Sequence, residues 1–107
     1  MTKITFFKKN NLYIGFEVQG HTGKDDFGKD LLCCQISTVA QMAIVGFDEI
    51  EKFAEFKEIS NGYLKIKVKD IFTEKEEVQF LLKTCYYSFK SIIEGENKFA
   101  KMEVKNV

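Results

Sequence analysis

The stretch Leu12-Tyr13-Ile14-Gly15-Phe16-Glu17-Val18-Gln19 alternates apolar and polar side chains, whereas Leu31-Leu32-Cys33-Cys34-Gln35-Ile36-Ser37-Thr38-Val39-Ala40 does not. In the first, Leu12, Ile14, Phe16 and Val18 recur every second residue and share one face of a strand, with Tyr13, Glu17 and Gln19 on the other. In the second, Leu32, Ile36, Val39 and Ala40, continued by Ala43 and Phe47, recur at spacings of three and four. That spacing predicts a helix over about 31–50. Sheet period gives way to helix period across one connecting loop, so the fold mixes both.

The flanks extend the pattern. Ile4 and Phe6 alternate with polar neighbours, and Asn10-Asn11 supplies a tight turn, giving a hairpin of strands at about 2–8 and 11–19. A second hairpin covers about 53–59 and 63–69 and turns at Ser60-Asn61-Gly62. Its second strand puts Leu64, Ile66 and Val68 on one face and Lys65, Lys67 and Lys69 on the other. Val78, Leu81, Leu82, Cys85, Phe89, Ile92 and Ile93 predict a second helix over about 74–94, with Gly95 where a C-terminal cap belongs. Ala100, Met102 and Val104 alternate with Lys101, Glu103 and Lys105 in a last strand over about 98–105. The order ββαββαβ predicts a two-layer α+β domain, a mixed or antiparallel sheet whose apolar face is covered by both helices.

Composition bounds the function. A chain of 107 residues fits one domain spanning 1–107, and 45% hydrophobic with 30% charged residues supports a core under a soluble surface. Sixteen basic residues balance sixteen acidic ones, so no global field draws nucleic acid or anionic lipid. No apolar run is expected to span a membrane, and the N-terminus lacks a secretory pattern. Cys33, Cys34 and Cys85 form an odd set with two adjacent, which is no disulfide framework and suits a reducing, cytoplasmic setting. One histidine and no CxxC leave too few ligands for a zinc site, and no metal or cofactor is expected.

The segment Gly20 to Asp30 follows neither period and holds three of the seven glycines. Long loops in small domains commonly carry function. Gly23 to Asp30 reads G-x-x-x-x-G-K-D, short of a phosphate loop by the hydroxyl that would bind Mg²⁺, with Asp25 and Asp26 repelling phosphate. His21, Asp25, Asp26, Asp30 and Cys33 would mix hard and soft metal ligands, a poor set for selectivity. His21 with Cys33 is the remaining pair. A lone helical Cys is usually a small buried hydrophobe and a lone loop His is usually solvated, but position favours chemistry here. Asp30 is a good N-cap, which places Cys33 in the first turn, beside backbone N–H groups and the positive end of the helix dipole. Those N–H groups are also candidates to hold an oxyanion.

In Gly20-His21, Gly28 and Asp30-Leu31-Leu32-Cys33-Cys34-Gln35-Ile36-Ser37, the chain resembles the ribosomal-processing cysteine protease family Prp. That family's signature runs Gly-His-Ala, a short glycine-containing loop, then Gly-x-Asp-Ile-Val-Cys-Ala-Ala-x-Ser. Gly20, His21, Gly28, Asp30, Cys33 and Ser37 match in order; Thr22 replaces Ala, Leu31-Leu32 replaces Ile-Val, and Cys34-Gln35 replaces Ala-Ala. The resemblance implies a cytoplasmic endopeptidase, commonly a homodimer, with Cys33 as nucleophile and His21 as general base and then acid. Its implied substrate is the N-terminal extension of the twenty-seventh protein of the large ribosomal subunit, cut after a Phe-Phe pair. No direct nucleic-acid contact is required by it. Gly20, Gly23, Asp25, Asp26 and Gly28 then form a substrate loop, expected to be open without peptide. Asp30 has two readings, an orienting partner for the imidazole or the helix cap, and its sequence position favours the cap. Ser37 lies one turn after Cys33 on the same face, either bonding near the site or back to its own helix. The competing functional class is a non-catalytic ribosome-associated or RNA-binding module built on the Lys65, Lys67 and Lys69 stripe. A redox pair of Cys33 and Cys34 ranks below both, because vicinal cysteines close a strained ring.

Overall fold

A computed structural model describes residues 1–26 and 30–107. Strands β1 (Thr2–Lys9) and β2 (Leu12–Gln19) pair antiparallel around Asn10 and Asn11, whose φ values of 52° and 65° are the left-handed pair that a two-residue hairpin turn requires. Strands β3 (Ala54–Ser60) and β4 (Tyr63–Val68) form the second hairpin, and β5 (Ala100–Asn106) closes the sheet. The five strands lie in the order β3-β4-β2-β1-β5. All neighbours are antiparallel except β1 and β5, so the sheet is mixed. Helices α1 (Leu31–Ile44) and α2 (Glu76–Ile93) complete the expected ββαββαβ order.

The core lies between the inner sheet face and the helices. Ile4, Phe6, Phe16, Leu64, Ile66 and Val68 meet Leu32, Ile36, Ala40, Ala43 and Phe47 of the first helical stretch and Val78, Leu82, Cys85 and Phe89 of α2. Phe6 stacks on Phe16 with centroids 5.0 Å apart, and Phe89 meets both edge-on, geometries that aromatic quadrupoles favour. The Leu31–Ile50 stretch reaches the length and apolar content of a membrane span, contrary to the expectation from sequence. It is amphipathic, and its apolar face, Leu32, Ile36, Ala40 and Ala43, is spent on the sheet.

Three local details depart from the sequence pattern. The first helix does not run regularly to residue 50, because Val45–Ile50 widens into a π-helical turn that keeps Phe47 in the core. A β-bulge at Phe7/Lys8 shifts the register of the first hairpin. Tyr13, expected on the polar face, instead packs against Phe6 at 5.7 Å and against Tyr86. Gln79, at the start of α2, receives a hydrogen bond from the Tyr13 amide and donates to the carbonyls of Tyr13 and Thr73. The bulge thus exposes backbone groups that one buried amide side chain satisfies.

On the outer sheet face two of the three stripe lysines have partners within the chain. Lys67 pairs with Glu55 at 2.5 Å and with Asp70, and the Lys65 ammonium lies 5.1 Å from the centre of the Phe7 ring. Glu55 and Asp70 offset the charge of Lys67, which weakens the stripe as an RNA-binding surface.

Candidate active site

The first helix begins where the sequence suggests. Asp30 has extended backbone angles, and its Oδ1 accepts the Cys33 N–H at 2.9 Å, the N-cap geometry that satisfies a first-turn amide. The Asp30 carbonyl accepts the Cys34 N–H at 3.1 Å. The amides of Cys33 and Cys34 are therefore occupied, so the expectation that first-turn N–H groups hold an oxyanion falls to the amides of Leu31 and Leu32. The second carboxylate oxygen of Asp30 accepts from the Thr22 hydroxyl and, at 3.1 Å, from the Lys24 N–H. The Thr22 hydroxyl foremost, then the amides of Cys33, Asp25 and Lys24, holds the Asp30 carboxyl below its ordinary range, against the opposing effect of desolvation. None of these contacts involves the imidazole. Asp30 caps the helix.

His21 enters from the opposite side. Gly20 follows β2 with φ 88°, and a side chain there would strike the Met1 carbonyl oxygen at 2.4 Å. Its N–H donates to the Gly62 carbonyl at 2.7 Å, and its own carbonyl accepts from the Thr2 hydroxyl at 3.2 Å. The exposed imidazole lies along the β3–β4 turn, where a Cβ on Gly62 would stand 3.0 Å from Nε2. Gly62, at φ 74°, thus serves both the turn and the seat of the ring.

Loop, helix and hairpin enclose one cleft of about 250 Å³ that has both His21 and Cys33 in its wall. Val18, Ala40, Ile59 and Leu64 give it an apolar lining, while Ser37, Gln41, Ser60 and Asn61 add polar groups. Ile59 faces the helix side of the sheet opposite Leu64 yet stays 59% exposed, leaving apolar surface open to a guest. A second cleft on the other side of Cys33 is bordered by His21, Gly23, Asp25, Asp30, Cys34 and Ser37. No hydrogen bond among the described residues joins His21 to Cys33, a common condition of catalytic pairs without substrate. Cys33 is half-buried and Cys34 exposed. Cys85 is fully buried among apolar groups, and burial pushes its thiol up to about 11, which removes it from chemistry.

The sequence-predicted residues divide accordingly. His21, Cys33 and Ser37 border both clefts, Gly20 borders the first, and Gly23, Asp25 and Asp30 border the second. Asp26 is exposed and borders neither cleft; its N–H donates to the Asp25 carboxylate at 2.8 Å. Gly28 lies outside the described residues. Sequence reasoning missed Thr22 and the wall formed by Ile59, Ser60, Asn61 and Gly62. For Thr22 a signal existed, because a cap carboxylate has lone pairs left for a nearby hydroxyl. The hairpin wall has none, since its approach to the loop is a tertiary contact. Beside that wall the Tyr63 hydroxyl donates to Glu17 at 2.8 Å, and burial, aided by this carboxylate, pushes the phenol up to about 12. Tyr63 remains a neutral donor. No group of metal-ligating side chains occurs among the described residues.

Residues 1–101 match the family described as cysteine protease Prp. Solved structures share the fold. The essential ribosomal processing protease Prp from Staphylococcus aureus, with a covalently linked product peptide, aligns with TM-score 0.86 at 19% identity, over 98% of this chain and 100% of that one. A Streptococcus mutans protein aligns with TM-score 0.82 at 21% identity, over 100% and 96%. The same staphylococcal protease with a substrate peptide aligns with TM-score 0.80 at 18% identity, over 98% and 100%. No curated protein sequence matches the chain.

Proposed function

Because the chain belongs to the cysteine protease Prp family, we propose that Cys33 is its nucleophile and His21 the base and acid that serve it. The observation that carries this reading is that a sheet-anchored loop brings His21, and a capped helix start brings Cys33, into the walls of the same clefts. Cys33 passes its thiol proton to His21, giving thiolate and imidazolium, and a substrate backbone lying there presents its carbonyl carbon to the thiolate. Attack forms a C–S bond as the carbonyl electron pair moves onto oxygen. Collapse breaks the C–N bond, and the imidazolium gives its proton to the departing amine. The thioester left behind is hydrolysed by a water whose proton His21 takes up, regenerating thiol and imidazole.

The substrate we infer is the N-terminal extension of the twenty-seventh protein of the large ribosomal subunit, cut after a Phe-Phe pair, by a cytoplasmic homodimer. Its support is the motif from Gly20 to Ser37, the family membership, and an apolar cleft wall of Val18, Ala40, Ile59 and Leu64 suited to aromatic side chains. The test is incubation of the protein with a peptide containing that Phe-Phe site, with mass spectrometry reading the products. A single cut after the pair, lost in Cys33→Ala, is the expected result. An intact peptide, or cutting at unrelated bonds, refutes the substrate.

A further inference from the structure

Among the described residues His21 is held by its neighbours rather than by bonds of its own. On one side Gly20 is tied to the sheet through the Gly62 carbonyl and the Thr2 hydroxyl. On the other, Thr22 is only 2% exposed, and its hydroxyl donates to the same Asp30 carboxylate that accepts the Cys33 N–H. The Thr22 oxygen also faces the Lys24 N–H at 3.5 Å, and Lys24 N–H reaches Asp30 at 3.1 Å. Three bonds therefore converge on one carboxylate, joining the residue after the imidazole to the first turn that carries the thiol.

We propose that Thr22 is a positioning residue for peptide cleavage, its buried hydroxyl stapling the residue after His21 to the Asp30 cap of the Cys33 helix. The inference rests on the roles given to Cys33 and His21 above. Its physical basis is that the imidazole sits on a glycine-rich loop whose backbone would otherwise sample many conformations. A productive proton transfer requires hydrogen-bond reach between base and reacting group. Gly20 alone fixes where the loop leaves the sheet; Thr22 fixes where it meets the helix. The family signature has alanine in this place, so the staple is a feature of this chain's own residues.

The test measures peptide cleavage by the full chain, with kcat expressed per folded protein, the folded fraction of each variant being read from its urea or thermal unfolding transition. Thr22→Val keeps the branched shape and deletes the hydroxyl. It is expected to lower kcat by about tenfold while KM stays within about twofold, because peptide contacts survive and alignment does not. Thr22→Ala carries the same expectation, and serves where the second methyl of valine disturbs packing. Thr22→Ser restores the hydroxyl and should return kcat to within about twofold of the parent. A Thr22→Val chain with parental kcat, or a Thr22→Ser chain as slow as Thr22→Val, overturns the proposal. Cleavage that survives Cys33→Ala refutes the nucleophile instead, whereas a normal Thr22→Val beside an inactive Cys33→Ala refutes the staple alone.

Discussion

Replacing Asp30 by alanine removes an N-cap and strands a buried donor in one step. The cap bond to the Cys33 N–H contributes about 1 kcal/mol, as N-cap side chains typically do. Thr22, 2% exposed, then keeps a hydroxyl with no carboxylate to donate to, and an orphaned buried donor costs about 1 kcal/mol more. The sum is about 2 kcal/mol, which in a domain of this size lowers Tm by about 8–16 °C. Thermal and urea unfolding of the two chains at neutral pH measure it. The folded carboxyl titrates below its ordinary value of 3.8, so its ionic contribution is complete above that value and fades as pH falls through the folded pKa. The stability gap between parent and variant should thus hold steady from neutral pH to about 5 and narrow below about 4. A gap under about 0.3 kcal/mol at neutral pH would show that the cap carries no weight. A gap that widens on acidification would reverse the sign of the linkage and refute the reasoning.

Three further outcomes are expected. Cys33→Ala and His21→Ala abolish cleavage of the Phe-Phe peptide while leaving the unfolding transition near the parent's; Cys34→Ala, which alters an exposed thiol, retains most activity. An inactive Cys34→Ala beside a normal Cys33→Ala would reassign the nucleophile. Asp25→Asn with Asp26→Asn should raise KM for a peptide with basic residues beyond the cut by about three- to fivefold at low ionic strength, an effect that shrinks with salt; an unchanged KM removes the electrostatic role of these exposed carboxylates. In hydrogen exchange the Gly20 and Lys24 amides, bonded to Gly62 and Asp30, should be protected in the free protein, while the intervening His21 and Gly23 amides exchange quickly and slow with a non-cleavable peptide; full protection of His21 and Gly23 without peptide contradicts a loop that peptide orders.

Much of this architecture is legible in local sequence because local physics sets it. The alternation in Leu64-Lys65-Ile66-Lys67-Val68 and the three–four spacing from Leu32 to Phe47 each declare which face must be buried. Asp30 ahead of Leu31 declares the helix start, and Asn10-Asn11 and Gly62 declare turns. What escaped depends on distant partners. Tyr13 keeps a strand's place in the sequence, yet the bulge opposite Phe7 turns it inward, where Gln79 meets its backbone. The widened turn at Val45–Ile50 leaves no residue signal, since the apolar spacing through Phe47 reads the same in either helix. At the site, Cys33 and His21 stand out by type and by motif. The Ser60–Gly62 turn that seats the imidazole is polar and glycine-containing like any hairpin turn, and only its tertiary approach gives it a place in the cleft.

The pairing of β1 with β5 bears on how the chain acquires this form. β1 finds β2 at once across a two-residue turn, but the partner for its other edge begins at Ala100, registered against Thr2. The loop, helix start and hairpin that enclose the cleft all lie before residue 65. During synthesis the cleft's residues are therefore made well before the strand that seals the sheet. Until then β1 presents an unpaired edge, open to other chains, and closing a loop of about a hundred residues places that step among the slow, non-local events of folding.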